Sequence, residues 1–478
     1  MKWSPTTPVV GFLPKFGDFG FQKSFMKIYL DTIGCRLNQA EIESMARQFR
    51  AAGHEIVASA EGADMAVMNT CAVTNDAASD SRRILRSLAR AGVKKIVATG
   101  CWSTLHPKES ANLPNVLKVI PNNQKDNLVA ETFDLQPSTL RQAQGEPFNL
   151  KPSTFNPEPI SRIPIPGPHH HTRAFIKVQD GCDNHCAFCI TTVARGDGRS
   201  RPLGDVISDI QFALNGGAKE IVLTGVHLGS WGQDISTLRH AQGSASLNAG
   251  SSVHLRDLVK AILHETDTPR LRLSSLEPWD LDADFFSLWK NPRLAPHLHM
   301  PLQSGCEATL KRMARNTTPN SFRELVRAAR GAIPDVAVTT DIIAGFPGET
   351  ESEFAESLAF VKEMNFAGGH VFTYSPRPGA GAAKMKGQIK PEIRKKRNHI
   401  LREVLDESAR SYRGKFIGRT LSVLWESTSE MGKWGWKMEG WTENYLRVKA
   451  VASAPRWNVM DKVRLLVMDG EGLKGEIV

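Results

Sequence analysis

Three cysteines stand close together in the sequence Cys182-Asp-Asn-His-Cys-Ala-Phe-Cys, just after a strand-like run that ends at Val178. Thiolates at this spacing, carried by one loop, can wrap a compact metal centre such as an iron–sulfur cluster. A four-iron cluster held by three cysteines, Cys182, Cys186 and Cys189, keeps one iron open, and an open iron can bind a substrate or a cofactor. The alternative is a zinc site in which His185 supplies the fourth ligand. The count of three thiols favours the cluster with an open iron.

Three further cysteines share a second pattern, because each one follows the carboxyl end of a predicted strand. Cys35 follows residues 27–31, Cys71 follows residues 66–69 and Cys101 follows residues 95–98. If these strands are neighbours in a parallel sheet, the thiols converge at one edge of it. Taken singly, each cysteine is better explained as a buried structural thiol. The repeated position nevertheless predicts a second three-cysteine cluster, whereas the isolated Cys306 is predicted to be a packed thiol.

The elements around these cysteines predict two α/β regions. Short β-rich runs alternate with helical patterns at 39–52 and 79–91, which predicts a parallel α/β domain over residues 26–130. Residues 1–25 show no helical or strand period and are interpreted as an extension outside the fold. The Pro-rich stretch 131–170 is predicted to be a linker.

Residues 171–400 contain at least six strand candidates separated by helix-length segments, which predicts a full or partial βα barrel with its chemistry at the carboxyl ends of the strands. The polar stretch 236–252 contains a near-copy of a linker sequence and is interpreted as an exposed insertion. Alternating runs in residues 411–478 predict a small β-barrel.

Charge, hydropathy and cysteine number limit the classes of function that the chain could have. The formal net charge is +10 and the pI is about 9.2, which suggests an acidic partner, nucleic acid first among them. No run approaches the roughly 20 apolar residues needed to cross a bilayer, so we expect no membrane span and a cytoplasmic location. The chain has 7 cysteines, and an odd number without a secretion signal is better explained by thiolate ligands than by disulfides.

The motifs of this chain resemble those of the methylthiotransferases, radical S-adenosylmethionine (SAM) enzymes that attach a methylthio group to a tRNA base or a ribosomal protein side chain. The resemblance runs from Met26 nearly to the carboxyl terminus. The segments that carry it are Gly34-Cys-Arg-Leu-Asn-Gln, Met68-Asn-Thr-Cys-Ala-Val-Thr-Asn, Thr99-Gly-Cys, Lys177-Val-Gln-Asp-Gly-Cys-Asp-Asn-His-Cys-Ala-Phe-Cys, Ser274-Ser-Leu-Glu-Pro, Pro301-Leu-Gln-Ser-Gly and Gly345-Phe-Pro-Gly-Glu-Thr. Asn38-Gln39, Cys71-Ala-Val-Thr-Asn and Gly225-Val-His-Leu-Gly-Ser resemble the threonylcarbamoyladenosine tRNA subgroup most closely.

The resemblance implies two [4Fe-4S] clusters and SAM. Cys182, Cys186 and Cys189 would hold the cluster that chelates SAM and cleaves it to a 5′-deoxyadenosyl radical. Cys35, Cys71 and Cys101 would hold an auxiliary cluster that presents the sulfur for transfer to carbon 2 of the modified adenine. The candidate SAM contacts lie at strand ends and have the alternative of purely structural hydrogen bonds: Thr224, Gly225, Glu277 and Gln303.

The same resemblance implies tRNA as a partner and an electron donor such as flavodoxin or ferredoxin. The carboxyl-terminal barrel is similar to the TRAM-like RNA-binding module of the family. We expect its cations to meet phosphates, namely Lys415, Arg419 and Arg447, and its aromatic residues to stack on bases or to fill the barrel core, namely Trp434, Trp436, Trp441 and Tyr445. The rival hypotheses are isopentenyladenosine tRNA or a ribosomal-protein aspartate as substrate, and a non-catalytic, zinc-dependent RNA-binding protein.

Overall fold

The computed structural model describes residues 25–133, 162–166, 171–235, 253–432 and 435–478. The predicted extension, most of the linker, the insertion 236–252 and Trp434 lie outside these ranges.

The amino-terminal region is a five-stranded, wholly parallel sheet in the order β2-β1-β3-β4-β5. Its central strands are buried along their whole length, because helices cover both faces, and their polar residues Asn69, Thr70 and Thr99 lie near the carboxyl ends. The predicted strands are confirmed, and two short edge strands, β2 and β5, were not predicted. The strands are β1 (Lys27–Thr32), β2 (Glu55–Val57), β3 (Met65–Thr70), β4 (Ile96–Gly100) and β5 (Val116–Ile120), and the helices are α1 (Arg36–Ala51), α2 (Asn75–Arg90), α3 (Cys101–Leu105), α4 (Pro107–Ala111) and α5 (Leu128–Phe133).

The central region contains six parallel strands in two three-stranded sheets, β6-β9-β10 and β11-β12-β13. Parallel bridges from Leu271 to Leu294 and from Ser275 to His299 join the two sheets. The predicted barrel is therefore a partial one. The strands are β6 (Ala174–Lys177), β9 (Ile221–Thr224), β10 (Leu271–Leu273), β11 (His297–His299), β12 (Ala337–Ala344) and β13 (Gly368–Thr373); a small hairpin, β7 (Gln179–Asp180) with β8 (Arg199–Ser200), follows the first of them.

Helices cover the outer side of this partial barrel: α6 (Thr191–Arg195), α7 (Leu203–Asn215), α8 (Leu255–Glu265), α9 (Glu307–Arg312), α10 (Pro319–Ala332) and α11 (Glu351–Met364). The alternating residues of β6 and β9 divide between two cores. One set packs in the large core with the outer helices, while Phe175 and Val222 pack with Ala40 of α1. Helix α1 thus fixes the amino-terminal domain against the first two barrel strands.

A 24-residue helix, α12 (Pro391–Gly414), leads into the carboxyl-terminal domain and runs through positions 400 and 411. The limits drawn at those positions from the sequence therefore fall inside one continuous helix. The last five strands close into the predicted barrel, with Trp425 fully buried. They are β14 (Thr420–Gly432), β15 (Gly435–Thr442), β16 (Arg447–Ala452), β17 (Met460–Asp469) and β18 (Gly472–Ile477). None of the described helices is both long and apolar enough to cross a membrane.

Candidate active site between the two α/β domains

The loop of Cys182, Cys186 and Cys189 begins directly beyond β7 at the carboxyl end of β6. Gly181 has a φ of +71°, and a Cβ there would lie 1.9 Å from the carbonyl oxygen of Asp197, so only glycine fits. The next residue, Cys182, donates its N–H to the carbonyl oxygen of Gly196 over 3.1 Å. The β7–β8 hairpin and this glycine therefore fix where the cysteine loop begins.

Hydrogen-bond donors surround the three sulfurs. The N–H of Asn184 lies 3.4 Å from Cys182 Sγ, and the N–H of Thr191 lies 3.4 Å from Cys189 Sγ. Burial raises the pKa of the Cys186 and Cys189 thiols, and only part of this rise is offset by neighbouring donors. Donors aimed at sulfur favour the thiolate, which is the form that binds iron. Three part-buried thiols with N–H donors fit an iron–sulfur cluster chemically.

Arg315 connects this loop with Glu277. Its Nη1 lies 3.7 Å from Cys186 Sγ, and its guanidinium donates to the two Glu277 carboxylate oxygens over 3.1 and 2.7 Å. The guanidinium also donates to the carbonyl oxygen of Pro301 and lies 4.5 Å from the centre of the Trp279 ring. The Arg315 side chain is 1% exposed. The candidate Glu277 therefore contacts the cysteine loop through an arginine that the sequence interpretation did not include.

The other candidate SAM contacts lie on the same rim. Thr224 ends β9 and is buried, and Gly225 leaves room for Gln179, whose side chain would lie 3.0 Å from an added Cβ. Gln179 in turn donates to the carbonyl oxygen of Gly181, next to the cysteine loop. Gln303 has a φ of +71°, and its backbone bonds to β12 on both sides. The four candidates thus lie at or just after the carboxyl ends of three successive strands, β9, β10 and β11.

His227 and Asp280 form a further pair that the sequence interpretation left out. His227 Nε2 lies 2.7 Å from an Asp280 carboxylate oxygen, and Nδ1 lies 3.2 Å from the Asn184 amide nitrogen. Burial alone would lower the pKa of His227, but hydrogen bonds with Asp280 and Cys182 raise it to about 10. An imidazolium beside Cys182 adds positive charge to this loop. The only sequence signal for it was its place in the Gly225–Ser230 motif.

The second set of cysteines lies at the carboxyl edge of the amino-terminal sheet. Cys35 precedes α1, Cys71 follows β3 and Cys101 opens α3 directly after β4. Gly34 has a φ of +104°, and a Cβ there would lie 2.6 Å from Cys71 Sγ, so the first cysteine loop passes close to the second. The three thiols interact electrostatically with one another. The parallel sheet brings these cysteines to one edge, as the sequence pattern predicts.

Each sulfur of this auxiliary set has a polar neighbour. Cys35 Sγ lies 3.8 Å from Asn38 Oδ1, the N–H of Val73 lies 3.5 Å from Cys71 Sγ, and Asn122 Nδ2 lies 3.6 Å from Cys101 Sγ. Burial raises the pKa of the Cys71 thiol to about 11. A buried thiol of this kind stays protonated at neutral pH unless a metal binds it. The donor set fits a second iron–sulfur cluster.

Helix α6 connects the two sets of cysteines. It begins two residues after Cys189 and ends at Arg195, which donates to Asn38 Oδ1 over 2.9 Å and to Glu41 over 2.8 Å. Asn122 donates to the carbonyl oxygen of Ala194 over 2.7 Å. Asn38 and Asn122, which contact Cys35 and Cys101, are thus held by α6, the helix that follows the loop of Cys182, Cys186 and Cys189.

The charges in this connection are almost fully buried. The side chains of Arg195 and Glu41 are each 2% exposed, and Lys125 donates to the same carboxylate over 2.7 Å. Burial alone would raise the pKa of Glu41, but Arg195 and Lys125 hold it well below its usual range. Such a network is stable only when every partner is present. Residues far apart in sequence form it, so no local pattern predicts it.

Arg377 makes a second contact between the domains, beside Cys71. From the segment after β13, its guanidinium donates to the carbonyl oxygen of Val73 and to Asn75 Oδ1, each over 2.9 Å. Val73 is also the residue whose N–H approaches Cys71 Sγ. The loop that carries Cys71 is therefore tied to the partial barrel.

Several barrel residues expected to meet RNA have intramolecular partners instead. The Tyr445 ring stacks between His297 at 4.5 Å and Trp441 at 4.6 Å, and its hydroxyl accepts a hydrogen bond from Arg36 over 2.8 Å. Trp436 packs partly against the barrel core. Trp436 thus follows the alternative of packing against the barrel core, whereas Tyr445 and Trp441 pack at the interface with the central domain, which neither expectation included.

The barrel cations expected to contact phosphates also have partners within the protein. Arg419 forms two hydrogen bonds with Asp335, Arg447 pairs with Glu439, and Lys415 lies over the ring of Tyr412. The first two guanidinium groups therefore already have carboxylate partners. Cys306 is 1% exposed, which confirms the prediction of a packed thiol.

Within the described ranges, no three His, Cys, Asp or Glu side chains converge closely enough to hold a single metal ion between them. A four-iron cluster spaces its thiolates more widely than one ion does, because each thiolate binds a different iron.

Comparison with known proteins gives matches along nearly the whole chain. Residues 27–120 match the model of the uncharacterized protein family UPF0004, and residues 176–361 match the radical SAM superfamily. The chain is 32% identical to the threonylcarbamoyladenosine tRNA methylthiotransferase MtaB of Bacillus subtilis, over 91% of this chain and 92% of that protein. It is 34% identical to the protein of the same name from Thermotoga maritima, over 93% of this chain and 96% of that one.

A third relative carries a different substrate in its name. The tRNA-2-methylthio-N(6)-dimethylallyladenosine synthase of Bacillus cereus is 31% identical, over 96% of this chain and 89% of that protein. Among solved structures, the radical SAM methyltransferase TsrM of Kitasatospora setae matches with a TM-score of 0.52 at 13% identity, over 75% of each chain. That likeness concerns the fold alone.

Proposed function

This chain belongs to the methylthiotransferase family of radical SAM enzymes, and we propose that it adds a methylthio group to carbon 2 of N6-threonylcarbamoyladenosine beside the anticodon of tRNA. The observation that carries the proposal is the pair of three-cysteine sites, one on each α/β domain, connected by α6. A methylthio transfer needs one site that activates carbon and one that delivers sulfur. Two of the relatives reported above, 34% and 32% identical to this chain, are named for this substrate.

As a radical SAM enzyme, the chain uses SAM and a [4Fe-4S] cluster. We propose that Cys182, Cys186 and Cys189 hold this cluster. The chemistry that such a cluster supplies when bound is one-electron cleavage of SAM to a carbon radical. Arg315 and the N–H groups of Asn184 and Thr191 stabilise the thiolates with hydrogen bonds, and the surrounding barrel excludes water.

Cys35, Cys71 and Cys101 hold the auxiliary cluster in this proposal. Their loops leave the sheet at one edge, and Asn38, Asn122 and the N–H of Val73 orient the three sulfurs. Arg195 and Arg377 fix these loops relative to the partial barrel. The distance between the two sites is then set by the protein before tRNA binds, as a reaction between two bound groups requires.

The candidate SAM contacts divide into two roles. We propose that Thr224 and Gly225, at the end of β9, and Gln303, after β11, contact SAM. Glu277 acts mainly by holding Arg315 against Cys186, since both of its carboxylate oxygens accept bonds from that guanidinium. Glu277 is therefore a positioning residue in this account.

In this proposal each of the three domains has a separate role. Residues 26–130 carry the auxiliary cluster, the partial barrel carries SAM chemistry, and the closed barrel of β14–β18 forms a TRAM-like module for tRNA. A flavodoxin or ferredoxin is the proposed electron donor. Because tRNA is made and used in the cytoplasm, we propose that location for the enzyme.

The substrate assignment is tested with the anaerobically reconstituted enzyme, SAM, a reductant and two tRNAs that lack the methylthio group. One tRNA carries N6-threonylcarbamoyladenosine and the other N6-isopentenyladenosine, and nucleosides are measured by mass spectrometry. We expect product from the first tRNA only. Product from the second tRNA only would make the chain a tRNA-2-methylthio-N(6)-dimethylallyladenosine synthase, which is the name of the Bacillus cereus relative and the second candidate. Product from neither would direct the search to a ribosomal protein.

A further inference from the structure

The segment from Lys384 to Arg402 is strongly basic. It contains eight lysines and arginines but a single acidic residue, Glu392. Six of the cations are exposed and form what we call the basic ridge, namely Lys384, Lys386, Lys390, Lys395, Lys396 and Arg402. The ridge occupies the approach to α12 and the first half of that helix. Beyond it, α12 becomes acidic, with Glu403, Asp406 and Glu407 exposed.

The ridge cations have no carboxylate partners within 4 Å among the described residues. The two other cations of the segment point inward, where Arg394 donates to the carbonyl oxygen of Tyr374 and Arg397 pairs with Glu349. This division separates cations that stabilise the fold from cations left to solvent. Like charges held side by side on one surface repel one another, and an anionic partner relieves that repulsion.

Several cations on the barrel surface, in contrast, have carboxylate partners. Lys449 pairs with Asp469 over 2.9 Å and Arg464 pairs with Glu476 over 3.0 Å. Arg419 and Arg447 are paired as well. An RNA phosphate would have to displace these carboxylates, whereas on the ridge it meets no competing anion from the described chain.

The ridge begins at the cysteine loop itself. The N–H of Ala382 donates to the carbonyl oxygen of Ala187 over 2.7 Å, and Ala382 and Met385 pack with Phe188. Ala187 and Phe188 lie between Cys186 and Cys189. From this contact the chain passes through Lys384, Lys386 and Lys390 to α12, whose first half carries the other ridge cations. A nucleotide that enters the site would bring its neighbouring phosphates to this end of the ridge.

From charge, exposure and this position we propose that the basic ridge binds the sugar-phosphate backbone of the tRNA arm whose base enters the site. The inference rests on the proposed function, because it names the surface that holds its substrate. Lysines and arginines on such a surface recognise phosphate without reading sequence, so they position the tRNA while the site selects the base.

The test compares two triple variants of equal charge in the reconstituted full-length enzyme. The ridge variant is K386Q/K395Q/K396Q, and the control is K219Q/K260Q/K290Q, which removes three exposed lysines that lack ion pairs within the described ranges. Binding of tRNA that lacks the methylthio group is measured by filter retention at several salt concentrations. Iron content and the thermal unfolding midpoint of each variant establish that it folds.

We expect the ridge variant to bind tRNA at least about tenfold more weakly. The slope of log Kd against log salt should fall by about two to three, since each of the three lost phosphate contacts lowers that slope by about 0.7 to 0.9. The control is expected to match the unmodified enzyme. Equal losses in both variants, or no loss in the ridge variant, would overturn the proposal. If the unmodified enzyme itself bound no tRNA, the proposed function would fail first, and the two failures are thereby distinguished.

Discussion

Glu277 holds the guanidinium of Arg315 with two hydrogen bonds, of 2.7 and 3.1 Å, and so fixes it 3.7 Å from the sulfur of Cys186. The carboxylate itself does not reach the sulfur in this arrangement. It orients the cation that does, as residues around metal ligands commonly do.

The first prediction concerns this orientation. Glu277→Gln keeps the shape of the side chain but replaces one acceptor oxygen with a donor. We expect SAM cleavage, measured as 5′-deoxyadenosine release, to fall by about 10- to 100-fold, as for other partners of metal ligands. Glu363→Gln, in the exposed pair with Arg323, is the matched control and should leave the rate unchanged. Unchanged cleavage in Glu277→Gln would exclude this role for Arg315.

The buried charges around Arg195 give a second prediction. Arg195→Met removes the guanidinium that pairs with both Glu41 and Asp180 and leaves only Lys125 and Lys177 to balance the two buried carboxylates, so the free energy of unfolding should fall by about 3–5 kcal/mol. Urea unfolding of the metal-free chain measures it. Arg464→Met, which breaks an exposed pair, should change it by less than about 1 kcal/mol. Equal effects of the two substitutions would show that the network contributes no special stability.

A third prediction concerns the coupling of the two sites through Asn122. Asn122→Leu removes the bonds to Cys101 Sγ and to the carbonyl oxygen of Ala194, so the auxiliary site loses its fixed distance from α6. We expect the number of 5′-deoxyadenosine molecules released per methylthio group transferred to rise by about tenfold or more, because small misplacements are costly. Asn112→Leu, at an exposed position, is the control. An unchanged ratio with full iron content would argue against coupling through this residue.

Glu220 makes stability depend on pH. Burial alone would raise its pKa, but Arg272 and Arg270 lower it from 4.5 to about 2. A carboxyl whose folded pKa is depressed stabilises the fold above its unfolded pKa, and this contribution is lost as the pH falls through the folded value. The contribution is about 3 kcal/mol at neutral pH.

The measurement compares Glu220→Gln with the unmodified metal-free chain. The stability gap between them should be largest above pH 5 and should narrow as the pH falls toward 2. Glu476→Gln, in an exposed pair, should show no comparable narrowing. A gap that stays constant with pH would mean that the pKa of Glu220 is not depressed in the folded state.

The sequence was informative where one local pattern decided the structure. The central strands β3 and β4 begin with the apolar runs 65–68 and 96–98, and a cysteine follows each strand directly, so the convergence of the cysteines followed from parallel-sheet geometry. The partial barrel and the closed carboxyl-terminal barrel were predicted for the same reason. The edge strand β2 was missed because it has only three residues, whereas β5 is apolar apart from Lys118 and could have been recognised from the sequence.

Contacts between residues that are far apart in sequence were not predicted. Arg195 meets Asn38 and Glu41 across more than 150 positions of sequence, and nothing in either segment indicates the other. Tyr445 was expected among RNA-stacking residues because exposed aromatic residues suit that role. It lies instead between His297 and Trp441, because the folded domains supply ring partners that no local pattern shows.

The proposed function requires one cluster that cleaves SAM and a second cluster that delivers sulfur. The triple variant C35A/C71A/C101A removes the ligands of the second cluster and tests this requirement directly. The variant and the unmodified enzyme are reconstituted anaerobically and compared for iron per chain, 5′-deoxyadenosine and methylthio-threonylcarbamoyladenosine in tRNA. We predict that the variant keeps about half of the iron and still cleaves SAM but forms no methylthio nucleoside. Full iron content, or methylthio product from the variant, would contradict the account.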